Sequence, residues 1–580
     1  MPPIPRRDFL ASSAAAAALA ALAPRLTAAE KATGPSAAPD LLRLAIEAND
    51  EQIPALLAKQ EKRAGHRWIG GLPDANGIHT VAGTNGLVSA LAAASCAPGS
   101  RYHRSTELVE PMRAGIRYML AAQHADGTVD YYATNFHSTP DLAFILEGAC
   151  PACALLRASP VPALAAVAAE LGEFIKRGGE ALVVGGVHTP NHRWVVCAAL
   201  AWVNSLFPDP RYVARADQWL AEGIDLDPDG QYTEKSTTVY SPIVDRALVT
   251  VARLLDRPAL LEPVRKNLEM SLYYVQPDGE VVTEASRRQD RDQRGTMHRY
   301  YFSYRTLALR DGNGRFAAMA RQIEAETQGR VGELATFLLE PGFGRALPPS
   351  APLPTDYAKV FAHSSLARIR RGAASGTILA GHTTLFTFRR GSAALTALRL
   401  ATAFFGKGQF SGEALEARDG RYVLRQRLEG PYYQPLTQAQ IADGEHTRMA
   451  PNGTLANDSR ARRARSEIQV LEAVVTVTED AGRFAFAIAI RGTDFVPVAI
   501  ELVFRQGGKL EGVEPLVDVK DGYLLRGEKG RYVFGGDAIA FGPGRAEHTY
   551  TQLRGALPKG DGQSVYLTGV TPFEFTLSIS

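Results

Sequence analysis

Residues 348 to 354 read Pro348-Pro349-Ser350-Ala351-Pro352-Leu353-Pro354, and the chain changes character across them. Prolines so dense remove backbone donors and fix an extended backbone, so neither a helix nor a central strand runs through. On the N-terminal side apolar residues recur at spacings of three and four. Pro162 to Arg177 and Asp245 to Leu255 are examples, with Ala, Leu, Arg and Glu between the apolar positions; this period predicts helices. On the C-terminal side apolar residues alternate. Arg483 to Ile490 and Glu467 to Thr478 read as strands, with turns at Gly535-Gly536 and Gly542-Pro543-Gly544. The expected fold class is multidomain, α then β. A helical domain spans residues 38–347 and an antiparallel β domain spans 348–580, each within the range of a large single domain.

The helical half has an internal period. Gly-containing turns recur at Asn76-Gly77, Asp126-Gly127, Gly185-Gly186, Asp229-Gly230 and Asp278-Gly279, with their glycines 44 to 59 residues apart. A period near fifty in a helical region predicts stacked helical hairpins, with every such turn at one end of the stack. Polar and aromatic residues cluster just after these turns: Asn135 and His137; His188, Asn191, His192, Arg193 and Trp194; Tyr232, Glu234, Lys235 and Tyr240; and Arg287, Arg288 and Arg291. Gathered at one end, they line a cleft rich in Asn, His, Tyr and Arg. Arg offers planar forks to carboxylates, and Tyr and Trp offer faces to sugar rings. The expected ligand is therefore acidic and rich in hydroxyls.

A chain of uronic acids can be cut by β-elimination. The carboxylate must be neutralised so that the developing enolate is stabilised, a base must take the α-proton, and an acid must protonate the leaving oxygen. Asn, His and Arg suit the first task, Tyr or His the second, and Tyr the third, with no metal or cofactor required.

Thr189-Pro190-Asn191-His192-Arg193-Trp194, then Asp229-Gly230-Gln231-Tyr232-Thr233-Glu234, then Tyr240, resembles the pattern of polysaccharide lyases built from an (α/α) toroid and a β-sandwich. These are the heparinase II/III-like, alginate lyase and chondroitin/hyaluronate lyase group. The resemblance implies an incomplete toroid of helical hairpins followed by an antiparallel β-sandwich. It implies that Asn191 and His192 neutralise the uronate and that Tyr240 is base, acid or both. Arg287, Arg288 and Arg291 resemble the arginine cluster that follows the Tyr, with Arg288 in the catalytic set. Asn135, His137, His188, Trp194, Tyr232, Glu234, Arg287, Arg291 and Tyr301 are expected to bind substrate. At least one of His298, Tyr300, Tyr301 and Tyr304 is expected to reach the cleft, with Lys407, Gln409, Tyr432 and Tyr433 as β-domain contacts. Heparinase-like enzymes often add a second His from the β domain; His363 and His382 are available, and neither sits in a recognisable motif.

Two other readings compete. A glycoside hydrolase on a helical toroid needs two carboxylates flanking the bond, for which Asp126, Asp130, Asp229, Glu234 and Glu284 are available. The Asp of each Asp-Gly turn is better explained by turn chemistry. A non-catalytic polysaccharide-binding protein would tolerate loss of Tyr240.

The N-terminus supplies an address. Arg6-Arg7-Asp8-Phe9-Leu10, the uncharged stretch Ala11 to Ala23 and the small-residue exit at Leu26-Thr27-Ala28-Ala29 read as a twin-arginine export signal over residues 1–29. A periplasmic or secreted protein is expected, with no later stretch long and apolar enough to span a membrane. The 64 Lys and Arg nearly balance 61 Asp and Glu, which argues against nucleic-acid binding. Four cysteines are too few for a disulfide scaffold, and the lone Cys150-Pro151-Ala152-Cys153 in a helical pattern reads as buried free thiols.

Overall fold

The structure is a computed structural model that describes residues 40–442 and 457–580. The twin-arginine segment and its exit site lie outside the described residues. The chain forms two units. The first runs to Leu272 and resumes over Ser286–Leu353; the second comprises Tyr273–Ala285 and Pro354–Ser580.

The first unit is helical. Its helices are α1 (Leu41–Lys59), α2 (Val81–Cys96), α3 (Val109–Ala122), α4 (Thr139–Ala158), α5 (Pro162–Val184), α6 (Pro190–Leu206), α7 (Pro210–Leu220), α8 (Tyr240–Leu254), α9 (Leu261–Ser271), α10 (Tyr301–Asp311), α11 (Gly314–Glu326) and α12 (Leu334–Leu339). Helices α2, α4, α6 and α8 pack side by side, and each pairs with an outer partner: α3, α5, α7 and α9. Helices α10 and α11 form a further hairpin. This is an incomplete (α/α) toroid.

Composition decides which helix lies inside. Helix α6 buries nearly every residue from Asn191 to Val203, whereas outer α7 buries only Tyr212 and Ala216. A helix apolar all round must be enclosed, and one with a single apolar stripe covers a surface. The same logic applies to α4. It alone among the described helices is long and apolar enough to cross a membrane, with a mean hydropathy of 1.3, but 67% of that window is buried inside the unit. This corrects the expectation that no later stretch would pass that test; α4 is a core helix. Its Cys150 and Cys153 are buried and free, as is Cys197 on α6.

The repeat turns precede inner helices, so the N-termini of α2, α4, α6 and α8 share one end. Gly127 and Gly230 have φ of +83° and +93°, and a Cβ would come within 2.2 Å of Arg177 O and 2.8 Å of Lys266 O respectively. Both positions therefore need glycine. Gly186 is not in the left-handed region, so the third turn has different chemistry from the others.

The second unit is a sandwich of a ten-stranded and an eight-stranded sheet. Along Arg483–Gly492, Phe484, Phe486, Ile488 and Ile490 point into the core while their neighbours stay at the surface. Phe386 from the other sheet meets Phe486 at 4.8 Å and Phe484 at 4.9 Å. One strand pair departs from the antiparallel expectation: Gly522–Leu524 runs parallel to Gln563–Val570. The ten-stranded sheet is buried on its second face as well, where Arg368, Ser375, Thr377 and Arg389 lie. Tyr273–Ala285 satisfies these groups. Arg368 Nε donates to Tyr273 O at 3.0 Å, Ser375 Oγ to Gln276 Oε1 at 2.9 Å, and Arg505 pairs with Glu280 at 2.6 Å. The Asp278-Gly279 turn thus belongs to the β unit.

Candidate active site

Helix α6 begins at Pro190, with Thr189 as an extended cap that makes no side-chain capping bond. Asn191 is therefore not a cap. Its Nδ2 donates instead to both carboxylate oxygens of Glu234, at 2.9 and 3.0 Å. Glu234 sits in the tight turn before α8, where Lys235 takes a φ of +50°. Asn191 is 2% exposed, and its Oδ1 is buried with no hydrogen-bond partner. Burial raises the Glu234 pKa, opposed by the Asn191 hydrogen bond and by Arg288.

His192 follows on the same turn. It meets exposed His188 edge-on at 4.8 Å and Phe144 at 6.0 Å. Burial, then the charges of His188 and Arg288, push its pKa down to about 4. At neutral pH it is an uncharged imidazole. The sign of the stability effect follows. The unfolded chain binds this proton near pH 6.5 and the folded chain only near 4, so the stabilisation is complete above pH 6.5 and is lost as pH falls through 4. We expect the unfolding free energy to drop by about 3 kcal/mol over that window from His192 alone. Urea titrations at pH 7, 5.5 and 4 measure it. His192→Asn should flatten that limb, and an unchanged slope would assign acid sensitivity elsewhere.

Tyr240 opens α8. Its backbone N–H donates to Ser236 Oγ at 3.1 Å, and its hydroxyl accepts from Gln289 Nε2 at 2.8 Å. The Arg288 guanidinium lies over its ring at 4.9 Å. Burial lowers the Arg288 pKa, but hydrogen bonding to Tyr240 and the charge of Glu234 outweigh this and raise it, so the group is a firm cation. Asn191, His192, Glu234, Tyr240, Arg288 and Gln289 thus form one connected group at the N-termini of α6 and α8. Helix N-termini carry partial positive charge and favour anions.

A cleft of about 600 Å³ adjoins this group through His188 and is lined by Asn135, Phe136, His137 and Val184. Asn135 and His137 lie on the hairpin Val129–Tyr131 and Asn135–Ser138. Asn135 Nδ2 donates to Asp141 at 2.8 Å. His137 stacks on His124 at 3.8 Å and pairs with Asp126 at 2.7 Å; His124 pairs with Asp130 at 2.8 Å. Phe136 is 66% exposed and offers an open aromatic face.

Several expected contacts are core positions. Tyr232 is buried and donates its hydroxyl to Asp245 at 2.7 Å. Trp194 is fully buried and donates Nε1 to Asp225 at 2.9 Å. Tyr301 is buried and donates to Glu324 at 2.8 Å. These three pack the toroid, which corrects the expectation that they touch substrate. Tyr300 and Tyr304 are likewise buried, and His298 pairs with Glu326 at 2.9 Å. Arg287 and Arg291 are exposed on the Arg288 loop, and Arg291 lies 3.9 Å from Asp292.

In the β unit, His382 is buried and its Nδ1 accepts from Thr384 N at 2.9 Å. Gln409 accepts from Leu557 N at 2.9 Å, and exposed Tyr432 packs on Phe405 at 5.6 Å. Lys407, Tyr433 and His363 are exposed. Among the described residues no cluster of three or more His, Cys, Asp or Glu side chains is arranged to hold a metal.

Sequence reasoning missed Gln289, Asp290, Ser236 and Phe136. A glutamine and an aspartate within an arginine run were the available signal for the first two.

No protein-family model matches the chain, and no curated protein matches it. Solved structures do. The chondroitin AC lyase of Streptomyces coelicolor A3, in complex with chondroitin sulphate, superposes with a TM-score of 0.53 at 16% identity, over 95% of this chain and 80% of that one. The Paenibacillus xanthan lyase gives 0.52 at 10% identity, over 93% and 57%. Heparinase III gives 0.51 at 12% identity, over 86% and 74%. At these identities the likeness is one of fold: a helical toroid followed by a β-sandwich, as in polysaccharide lyases.

Proposed function

We propose that this protein is a polysaccharide lyase that cleaves a uronic-acid-containing polysaccharide by β-elimination. The observation that carries the reading is the pairing of Tyr240 with Arg288, whose guanidinium lies 4.9 Å above the phenol ring, beside the Asn191–Glu234 pair. In this reading Arg288 is the cation that meets the uronate carboxylate. Asn191 and uncharged His192 contribute hydrogen bonds, and Glu234 orients Asn191. Tyr240 takes the α-proton and returns a proton to the departing glycosidic oxygen. Stabilising the enolate with fixed donors is the largest contribution such a site offers. The cleft bounded by Asn135, Phe136, His137 and His188 would hold neighbouring sugars, with Arg287 and Arg291 as exposed contacts for further acidic groups.

The toroid-and-sandwich fold shared with three lyases supports this reading. The hydrolase alternative is weakened because Asp126 and Asp130 are each paired with a histidine and Glu234 with Asn191. Read as a twin-arginine export signal, Arg6-Arg7-Asp8-Phe9-Leu10 would place this activity outside the cytoplasm, where long acidic polymers occur.

The test is a screen of acidic polysaccharides for new near-ultraviolet absorbance. Elimination leaves an unsaturated uronate that absorbs there. A rise with at least one uronate polymer is expected. New reducing ends without absorbance would replace the lyase reading with the hydrolase one.

A further inference from the structure

The segment that carries Tyr240 and the loop that carries Arg288 share one carboxylate. Asp290 is 3% exposed. Its Oδ1 accepts from Ser236 Oγ at 2.9 Å and from Ser286 Oγ at 2.5 Å. Each serine hydroxyl also accepts a backbone N–H: Ser236 from Tyr240 at 3.1 Å, and Ser286 from Arg288 at 3.1 Å. The other oxygen, Oδ2, accepts from both Thr238 N and Thr238 Oγ1 at 3.1 Å.

The direction of these bonds is forced. A hydroxyl has one proton and two lone pairs, and a carboxylate only accepts. Both serine protons must therefore point at Asp290, which leaves their lone pairs for the amides of Tyr240 and Arg288. Two short relays meet at one oxygen, each ending on the backbone of a residue assigned to the reaction. Bonds to a charged acceptor are the stronger kind.

We infer that Asp290 is a positioning residue that sets Tyr240 against Arg288 through Ser236 and Ser286. The inference rests on the roles proposed above for those two residues. Asp290 touches neither the phenol nor the guanidinium through its own hydrogen bonds; it holds them through the two serines, and its charge adds a smaller direct pull on the Arg288 cation.

The experiment uses the full chain and the uronate polymer that gives the strongest absorbance. Asp290→Ala should lower kcat by about 100-fold, the loss expected of an ångström-scale misplacement, with KM within threefold. Asp290→Asn keeps an oxygen for both serines and loses only the Thr238 side, so its loss should be under about tenfold. Adding Ser236→Ala and Ser286→Ala to Asp290→Ala should cost less than the product of the separate factors, because the carboxylate and the serines belong to one relay. Amide hydrogen exchange should quicken in peptides covering 236–241 and 286–291 and stay unchanged elsewhere.

Asp290→Ala with kcat within twofold of the parent overturns the inference. So does a triple variant that loses the product of the separate factors, or exchange that quickens evenly through the whole chain. If the alanine variant does not fold, the Ser236→Ala/Ser286→Ala double variant decides, and kcat within twofold of the parent there overturns the relay. Tyr240→Phe separates the two layers: full turnover there removes the catalytic role of Tyr240, while the exchange data still decide whether Asp290 ties the two loops.

Discussion

Tyr240→Phe is expected to lower kcat by about 10³-fold, within the range that a positioned proton-transfer group contributes. The substitution removes one oxygen. The ring stays at the start of α8 and under the Arg288 guanidinium, because the backbone N–H to Ser236 Oγ is untouched. KM and the thermal midpoint should therefore change little. Gln289 and Arg288 both lose their hydroxyl acceptor; Gln289 is exposed and Arg288 half-buried, and water replaces the oxygen at both. Initial rates of absorbance gain on the best uronate polymer measure the effect. Activity within tenfold of the parent would remove Tyr240 from the reaction and move the proton transfer to another group.

Asn191→Ala is the second large effect, and it should act on both rate and stability. Loss of a fixed polar group facing developing enolate charge costs about 10²- to 10³-fold in kcat. The same change strands Glu234, whose carboxylate accepts both of its Asn191 bonds while 7% exposed. A buried acceptor left unpaired costs about 1–3 kcal/mol. The variant should be slower and less stable, with kcat lost even at temperatures where it is fully folded. Pairing it with Glu234→Gln tests the cause, since a neutral amide tolerates the missing partner better; stability should recover while kcat does not. Recovery of both would make Asn191 a structural partner of Glu234 alone.

The architecture was legible because the hydrophobic period changes once, at Pro348 to Pro354, and because the Gly turns repeat. Legibility stopped where tertiary contacts override local pattern. Tyr232, Trp194 and Tyr301 are polar-edged aromatics just after turns, the pattern expected of a ligand-facing wall. Each instead finds a carboxylate partner, buried Asp245, buried Glu324 or half-buried Asp225, that no spacing rule announces. The Asn191–Glu234 contact spans 43 residues and joins two repeats, so sequence offers the residue types and not the pairing. Asp290 was hidden for the opposite reason: a charged run normally reads as a solvated face, yet this carboxylate is buried among serine and threonine hydroxyls. The strand-like alternation that reveals the β half says nothing about its second buried face, which borrows Tyr273–Ala285 from before the proline joint.

That borrowed segment bears on how such a protein could be recombined. The two units are not consecutive beads. The chain leaves the toroid after Leu272, supplies thirteen residues to the β unit, and returns at Ser286 before crossing for good after Leu353. A genetic exchange at the proline joint would carry away a sheet whose Arg368, Arg389 and Arg505 had lost Gln276, Asp278 and Glu280. A foreign sandwich grafted there would meet a leftover strap written for another sheet. Swapping either half therefore takes two coordinated changes, one on each side of the arginine loop, and lineages of this fold are expected to inherit toroid and sandwich together.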